Sequence, residues 1–249
     1  MKNKAIVLVL ALIIIIPAIT SAQRWKRSRY EVLGGAGPSF FFGDLGGANK
    51  DATHFMGDLD MQATRFHILL GVRYKVKEKA ALKLNLIYAR IHGSDTYTEA
   101  ESRAARNVTF SGGLFEPSVQ FEYSILKERL GARYTFSNLQ RFKLVYVNTY
   151  VFLGLGGVLF YPNPELSTFK NNVLKKYSHF NLAIPLGIGF KYAINRRACL
   201  GLEFGMRYTS TDYLDGHSDK FSKANDAYSF LNLNVTYKLK TARSGLPKF

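Results

Sequence analysis

The sequence is poor in the residues that fasten small exported folds and in the acids that would balance its bases. Cys199 is the one cysteine among 249 residues. No intrachain disulfide is possible, and a thiol placed deep inside a predicted strand cannot be the lipidated first residue of a mature lipoprotein. Only 18 Asp and Glu stand against 34 Lys and Arg, a formal charge of +16. The five histidines, His54, His67, His92, His179 and His217, lack metal-ligand spacing. Asp212 and Asp215 lack the oxygen-rich loop that calcium requires. There is no Gly-x-Ser-x-Gly elbow. Gly154-Leu155-Gly156-Gly157 falls inside a predicted strand, so it is not a phosphate loop. His92, Ser94 and Asp95, and again His217, Ser218 and Asp219, are hydrolase-type residues, but they lie in polar loops where such residues are ordinary. The expectation is a protein that is not an enzyme, with no catalytic residues, no metal and no cofactor.

Beyond the first residues, no run is apolar and long enough to span a bilayer as a helix. Lys2 and Lys4 precede the apolar stretch Ala5 to Ile16, followed by Pro17 and small residues to Ala22. This predicts a signal peptide over 1–22 and a single barrel domain over 23–249 with a short basic tail. Export removes most of the weight from a nucleic-acid reading of the charge. Anionic lipid head groups, lipopolysaccharide or an acidic partner protein remain as partners.

What the chain does have is alternation. Phe180, Leu182, Ile184, Leu186, Ile188, Phe190 and Tyr192 interleave with Asn181, Ala183, Pro185, Gly187, Gly189 and Lys191. After Asn195-Arg196-Arg197 the pattern restarts, with Ala198, Leu200, Leu202, Phe204, Met206 and Tyr208 against Cys199, Gly201, Glu203, Gly205 and Arg207. Period-two alternation with a tight turn between predicts a long β-hairpin. Similar strands are predicted from Arg65 to Val76, Ala81 to Tyr88, Phe115 to Ile125, Leu144 to Leu159 and Tyr228 to Leu239. Tyr30 to Phe42 makes a first strand, whose glycines suggest a twist or bulge and whose Pro38 suits a strand end or edge. His92 to Gly113 reads as a polar loop, and Tyr161-Pro162-Asn163-Pro164 as the close of its strand.

About eight strands of membrane-spanning length follow, with connections that alternate long and short. The fold class predicted is all-β: a single antiparallel, up-and-down transmembrane β-barrel in the bacterial outer membrane. A soluble sandwich would not need an oily face on every strand together with charges on the opposite faces. Tyr74, Tyr88, Tyr123, Tyr192, Tyr208 and Tyr237 at strand ends would form interface girdles.

A barrel of this size is filled by its own side chains. The inward sets supply Arg65, Arg73, Lys75, Lys83, Lys191 and Arg207 against Glu116, Glu122 and Glu203. Buried charges persist only when paired, so a cross-barrel charge network is expected, as structural filling or as the gate of a narrow channel. With both termini in the periplasm, Lys127, Arg129, Arg133, Arg141 and Lys143 would form a basic periplasmic face. That face would dock either a periplasmic partner or anionic head groups.

Several stretches together resemble the PorG-like family of small outer-membrane β-barrels. They are Phe42 to Gly47, Gly57 to Asp60, Phe115-Glu116-Pro117, Tyr150-Val151-Phe152, Asn163-Pro164, Ile184 to Gly189, Gly201 to Gly205, Arg207-Tyr208-Thr209 and Thr211 to Asp215. Asn148-Thr149 departs from the pattern, standing where a proline is expected. The resemblance implies a barrel associated with type IX protein secretion, in contact with periplasmic ring or lipoprotein subunits, and implies no catalysis. It fits the secretion component itself or a paralogue.

Overall fold

A computed structural model describes residues 24–42, 63–94, 109–126, 147–164, 178–195, 197–211, 214, 226–242 and 244–248. The predicted signal peptide and its cleavage site lie outside them. Eight strands close into one barrel: β1 (Tyr30–Phe42), β2 (Arg65–Lys75), β3 (Ala80–Ser94), β4 (Thr109–Ser124), β5 (Val147–Pro164), β6 (Phe180–Ala193), β7 (Ala198–Thr209) and β8 (Ala227–Lys238). Every neighbouring pair is antiparallel in chain order, and β8 returns to β1.

The alternation sorts the side chains as the sequence implies, with the oily set outward. Leu70 and Leu155 are 65% and 69% exposed, and leucines, valines and aromatics of the other strands flank them around the wall. Meanwhile Glu31, Arg73, Lys83 and Glu116 are at most 1% exposed. In water this is an inverted protein; in a bilayer the apolar wall meets lipid and the polar set fills the lumen. The chain is an eight-stranded antiparallel barrel of the outer-membrane type.

Of the prolines within the wall, Pro38, Pro117 and Pro185 do not shift it. Pairing of β1 with β8 passes from Ala36↔Leu233 to Ser39↔Phe230 across Pro38. Across Pro117 it passes from Phe115↔Leu159 to Ser118↔Gly156, and opposite Pro185 from Leu153↔Leu186 to Gly156↔Ala183. The register is the same on both sides of each gap, because a missing N–H removes a bond on one side only. β1 therefore carries no bulge, one of the two alternatives its glycines suggest, and Pro38 lies within the strand, opposite Phe66.

Two connections are longer as strand than the sequence suggests. β3 runs on to Ser94 and β4 begins at Thr109, pairing Ser94↔Thr109 through Arg90↔Gly113. Tyr161 to Pro164 continues β5 opposite Phe110 to Gly113. Glycine, serine and proline read locally as breakers, but inward packing of Ile91, Phe110 and Phe160, all 2% exposed or less, holds these segments extended.

The tight turns lie at one end. Val76 N and Lys77 N donate to Ala80 O at 2.9 and 3.0 Å. In the other turn the Asn195 side-chain oxygen accepts from Arg197 N and Ala198 N at 2.8 and 2.7 Å, an Asx-type closure. A short 3-10 helix, Arg24–Ser28, leads into β1 at this same end. A small C-terminal hairpin, Lys240–Thr241 with Pro247–Lys248, lies beside it, tied by Arg29 N donating to Thr241 Oγ1 at 3.1 Å.

Candidate functional site

The lumen near the short-turn end is a single ionic layer. Arg73 on β2 stands at its centre. Its guanidinium lies 2.9 Å from Glu31 on β1, 2.6 Å from Glu122 on β4 and 3.4 Å from Glu203 on β7. Glu31 also meets Lys75 at 2.7 Å and Lys191 of β6 at 3.2 Å. Lys83 on β3 bridges Glu122 at 3.3 Å and Glu203 at 2.8 Å. Register puts Arg73 directly opposite Lys83. Two cations at that spacing repel, and the carboxylates of Glu122 and Glu203 shared between them offset the repulsion. Burying so many charges is costly unless each is multiply paired, which is what the sharing achieves.

Aromatic rings reach this layer over glycine. Tyr150 on β5 is paired in register with Gly189, which is paired in turn with Glu203. The phenol ring crosses the bare backbone and its Oη donates to Glu203 Oε1. Phe152 does the same over Gly187 and Gly205, and Lys83 Nζ lies 5.4 Å from its ring centre. The small residues interleaved in β6 and β7 are thus the floor on which β5's aromatics lie.

Further along the axis come buried amides, Asn85, Gln120, Asn232 and Asn234, and then a second cluster. Arg207 Nε lies 3.4 Å from Glu116 Oε2, and Tyr228 Oη donates to the same oxygen at 2.8 Å. The Arg207 guanidinium sits 4.4 Å over Phe230, and His67 stacks on that ring at 4.4 Å. Around and beyond this cluster the lumen turns apolar, with Leu69, Ile87, Leu114, Val158 and Phe160 packed together. Leu214 joins them fully buried, its N–H donating to the Asp226 carboxylate at 2.8 Å.

Of the nine lumen charges expected from sequence, Arg73, Lys75, Lys83, Glu122, Lys191 and Glu203 share one layer, and Glu116 and Arg207 form the other cluster. Arg65 sits at the opposite end of β2 from Arg73 and Lys75, where its Nη1 donates to Thr64 O at 2.9 Å. Alternation identifies a face, but not a height along the axis. The sequence reading missed Glu31, because the glycines of β1 blur its alternation, and missed Tyr150 and Tyr228, because aromatics look like wall residues. The docking residues Lys127, Arg129, Arg133, Arg141 and Lys143 lie outside the described residues, as do Asp95, His217, Ser218 and Asp219. Ser94 Oγ lies 2.9 Å from Thr109 Oγ1 across the β3–β4 pair. Cys199 is buried and forms no disulfide. Among the described residues no three His, Cys, Asp or Glu side chains are placed to hold a metal ion.

The model of a family described as Domain of unknown function (DUF6089) matches residues 8–239. No curated protein matches the chain. Among solved structures, it is similar to Ail, the attachment invasion locus protein of Yersinia pestis, at 12% identity and a TM-score of 0.45, covering 85% of this chain and 99% of that one. The outer membrane protein OprG from Pseudomonas aeruginosa is similar at 12% identity and 0.43, covering 85% and 97%. The outer membrane enzyme PagL is similar at 10% and 0.31, covering 83% and 97%. At such identities and scores these likenesses say nothing of function.

Proposed function

The chain belongs to the DUF6089 family, and from that premise we propose an outer-membrane barrel that acts through its ends. It anchors or helps assemble a type IX-like protein-secretion machinery. The observation that supports this reading is the ionic layer centred on Arg73, which draws side chains from β1 to β7 together across the lumen. A lumen crossed by such a layer leaves the work to the surfaces that project from the wall. Short turns and both termini of an even-stranded barrel face the periplasm. β4 ends and β5 begins at that end, and the sequence between them carries Lys127, Arg129, Arg133, Arg141 and Lys143, for which an acidic face of a ring subunit or lipoprotein would be the partner. The stretches that resemble the PorG-like barrels support a type IX-like machine as the one served. No chemistry is ascribed to the barrel.

The test is affinity purification of tagged full-length protein from membranes, with identification of what accompanies it. Ring or lipoprotein subunits are expected with the wild type and lost with Arg129→Glu, Arg133→Glu and Arg141→Glu combined, while the barrel stays inserted. Unchanged co-purification would sink the docking idea. Intact secretion after gene deletion would leave a barrel with a structural role alone. One observation favours a narrow channel as a second reading. Arg73 and Lys83 each hold more than one carboxylate, so partners could exchange without leaving a charge bare.

A further inference from the structure

At the short-turn end the lipid-facing wall continues past its tyrosines. Val76, Ile125 and Ile194 follow Tyr74, Tyr123 and Tyr192 by one alternation step and are 43%, 51% and 59% exposed. The rim tyrosines therefore lie within the apolar wall, at the level where it gives way to head groups. Three cations from the turns and the first-strand lead reach onto that ring of tyrosines. Arg29 Nη1 donates to Tyr74 Oη at 3.2 Å, with its guanidinium 5.0 Å over Trp25. Lys79 Nζ lies 6.0 Å over Tyr123. Arg197 Nη1 lies 3.5 Å from Tyr237 Oη. Among the described residues at this end, Glu78 is the only acid outside the lumen.

We infer that this rim is a phosphate-binding collar for anionic glycerophospholipid. The aromatic contacts fix the cations in place without neutralising them, so their charge stays available to a head-group phosphate. The apolar wall beside them takes the acyl chains. Position decides between lipid and protein. These cations lie against outward-facing tyrosines, on a surface that lipid surrounds, and not on the barrel axis where a docked periplasmic protein would sit. The inference makes no use of the anchoring role.

The experiment places full-length protein in nanodiscs of mixed phosphatidylcholine and phosphatidylglycerol and reads retained lipid by native mass spectrometry. Wild type is expected to retain phosphatidylglycerol over phosphatidylcholine by roughly fivefold or more, falling with salt. The combined Arg29→Gln, Lys79→Gln and Arg197→Gln variant is expected to fall to parity while keeping its folded gel mobility. Trp25, the one tryptophan in the chain, gives a local readout. Brominated phosphatidylglycerol should quench it more than brominated phosphatidylcholine, and Arg29→Gln should remove the difference. Equal lipid retention by wild type and the triple variant would overturn the proposal. So would wild type that retains phosphatidylcholine and phosphatidylglycerol equally.

Discussion

Tyr150 lies across Gly189 so closely that a β-carbon at 189 would come within 2.3 Å of the phenol ring. The glycine is the passage by which a β5 side chain reaches Glu203 on β7, two strands away. The same device repeats one step along, where a β-carbon at Gly187 or Gly205 would come 2.7 or 2.6 Å from the Phe152 ring.

Gly189→Ala should therefore destabilise the barrel by about 1–3 kcal/mol, the range for an overpacked interior. Tyr150→Ala should cost stability by itself yet make Gly189→Ala nearly neutral, because the clash has gone. Urea unfolding in lipid vesicles, read as a double-mutant cycle, checks both. Additive costs would mean that the ring does not lie over the glycine.

Glu203→Ala leaves Lys83 and Arg73 short of a shared carboxylate. Removing one partner from a buried charge group costs roughly 3–5 kcal/mol, so the unfolding midpoint should fall sharply. Glu203→Gln keeps the side-chain volume and one acceptor oxygen but not the charge, and should cost less. In planar bilayers, wild type should pass little current. Frequent wild-type openings that Glu203→Ala prolongs would support the channel reading.

Leu155→Arg tests which face meets lipid. The position is 69% exposed on the outward wall. An arginine near the middle of the bilayer costs about 2–4 kcal/mol in a barrel of this kind. Loss of insertion, seen as loss of the heat-modifiable folded band, is expected. Efficient folding of this variant in buffer without lipid or detergent would overturn the membrane orientation.

Leu214→Ala should loosen the end of the barrel opposite the tight turns, since Leu214 is fully buried in the apolar lumen cluster. A cost of about 2 kcal/mol or more is expected. Faster protease cleavage between 211 and 226 than in wild type would report it, and Asp226→Asn should act in the same direction through its bond to Leu214 N.

Where side chains alternate cleanly, the sequence reveals both the strand and its faces: β2, β6 and β7 can be read almost residue by residue. The reason is physical, since a wall with lipid on one side and a packed lumen on the other tolerates no slip of register. Three things are not legible. Strand ends rich in Gly, Ser and Pro look like loops until the cross-barrel packing of Phe110 and Phe160 is known. Which lumen charges meet depends on tilt and height, so Arg65 joins no layer with Arg73 despite sharing its face. The Thr211 to Asp215 motif had no evident purpose in sequence. Its Leu214 proves to be a packing residue at the mouth, while Asp212, Tyr213 and Asp215 lie outside the described residues.

The ionic layer has a consequence for how the barrel forms. Glu31 is on the first strand, Lys191 on the sixth and Glu203 on the seventh, and Arg73 of β2 reaches both glutamates. On an unrolled sheet the first and seventh strands would be roughly 30 Å apart at the usual strand spacing. Arg73 could not then touch both, nor Lys191 reach Glu31. These charges find their partners only when the last strand meets the first. A sheet that stalls before sealing carries solvent-hungry carboxylates and ammoniums that it cannot take into a bilayer. Charge matching across the closure therefore favours the sealed ring over the open sheet.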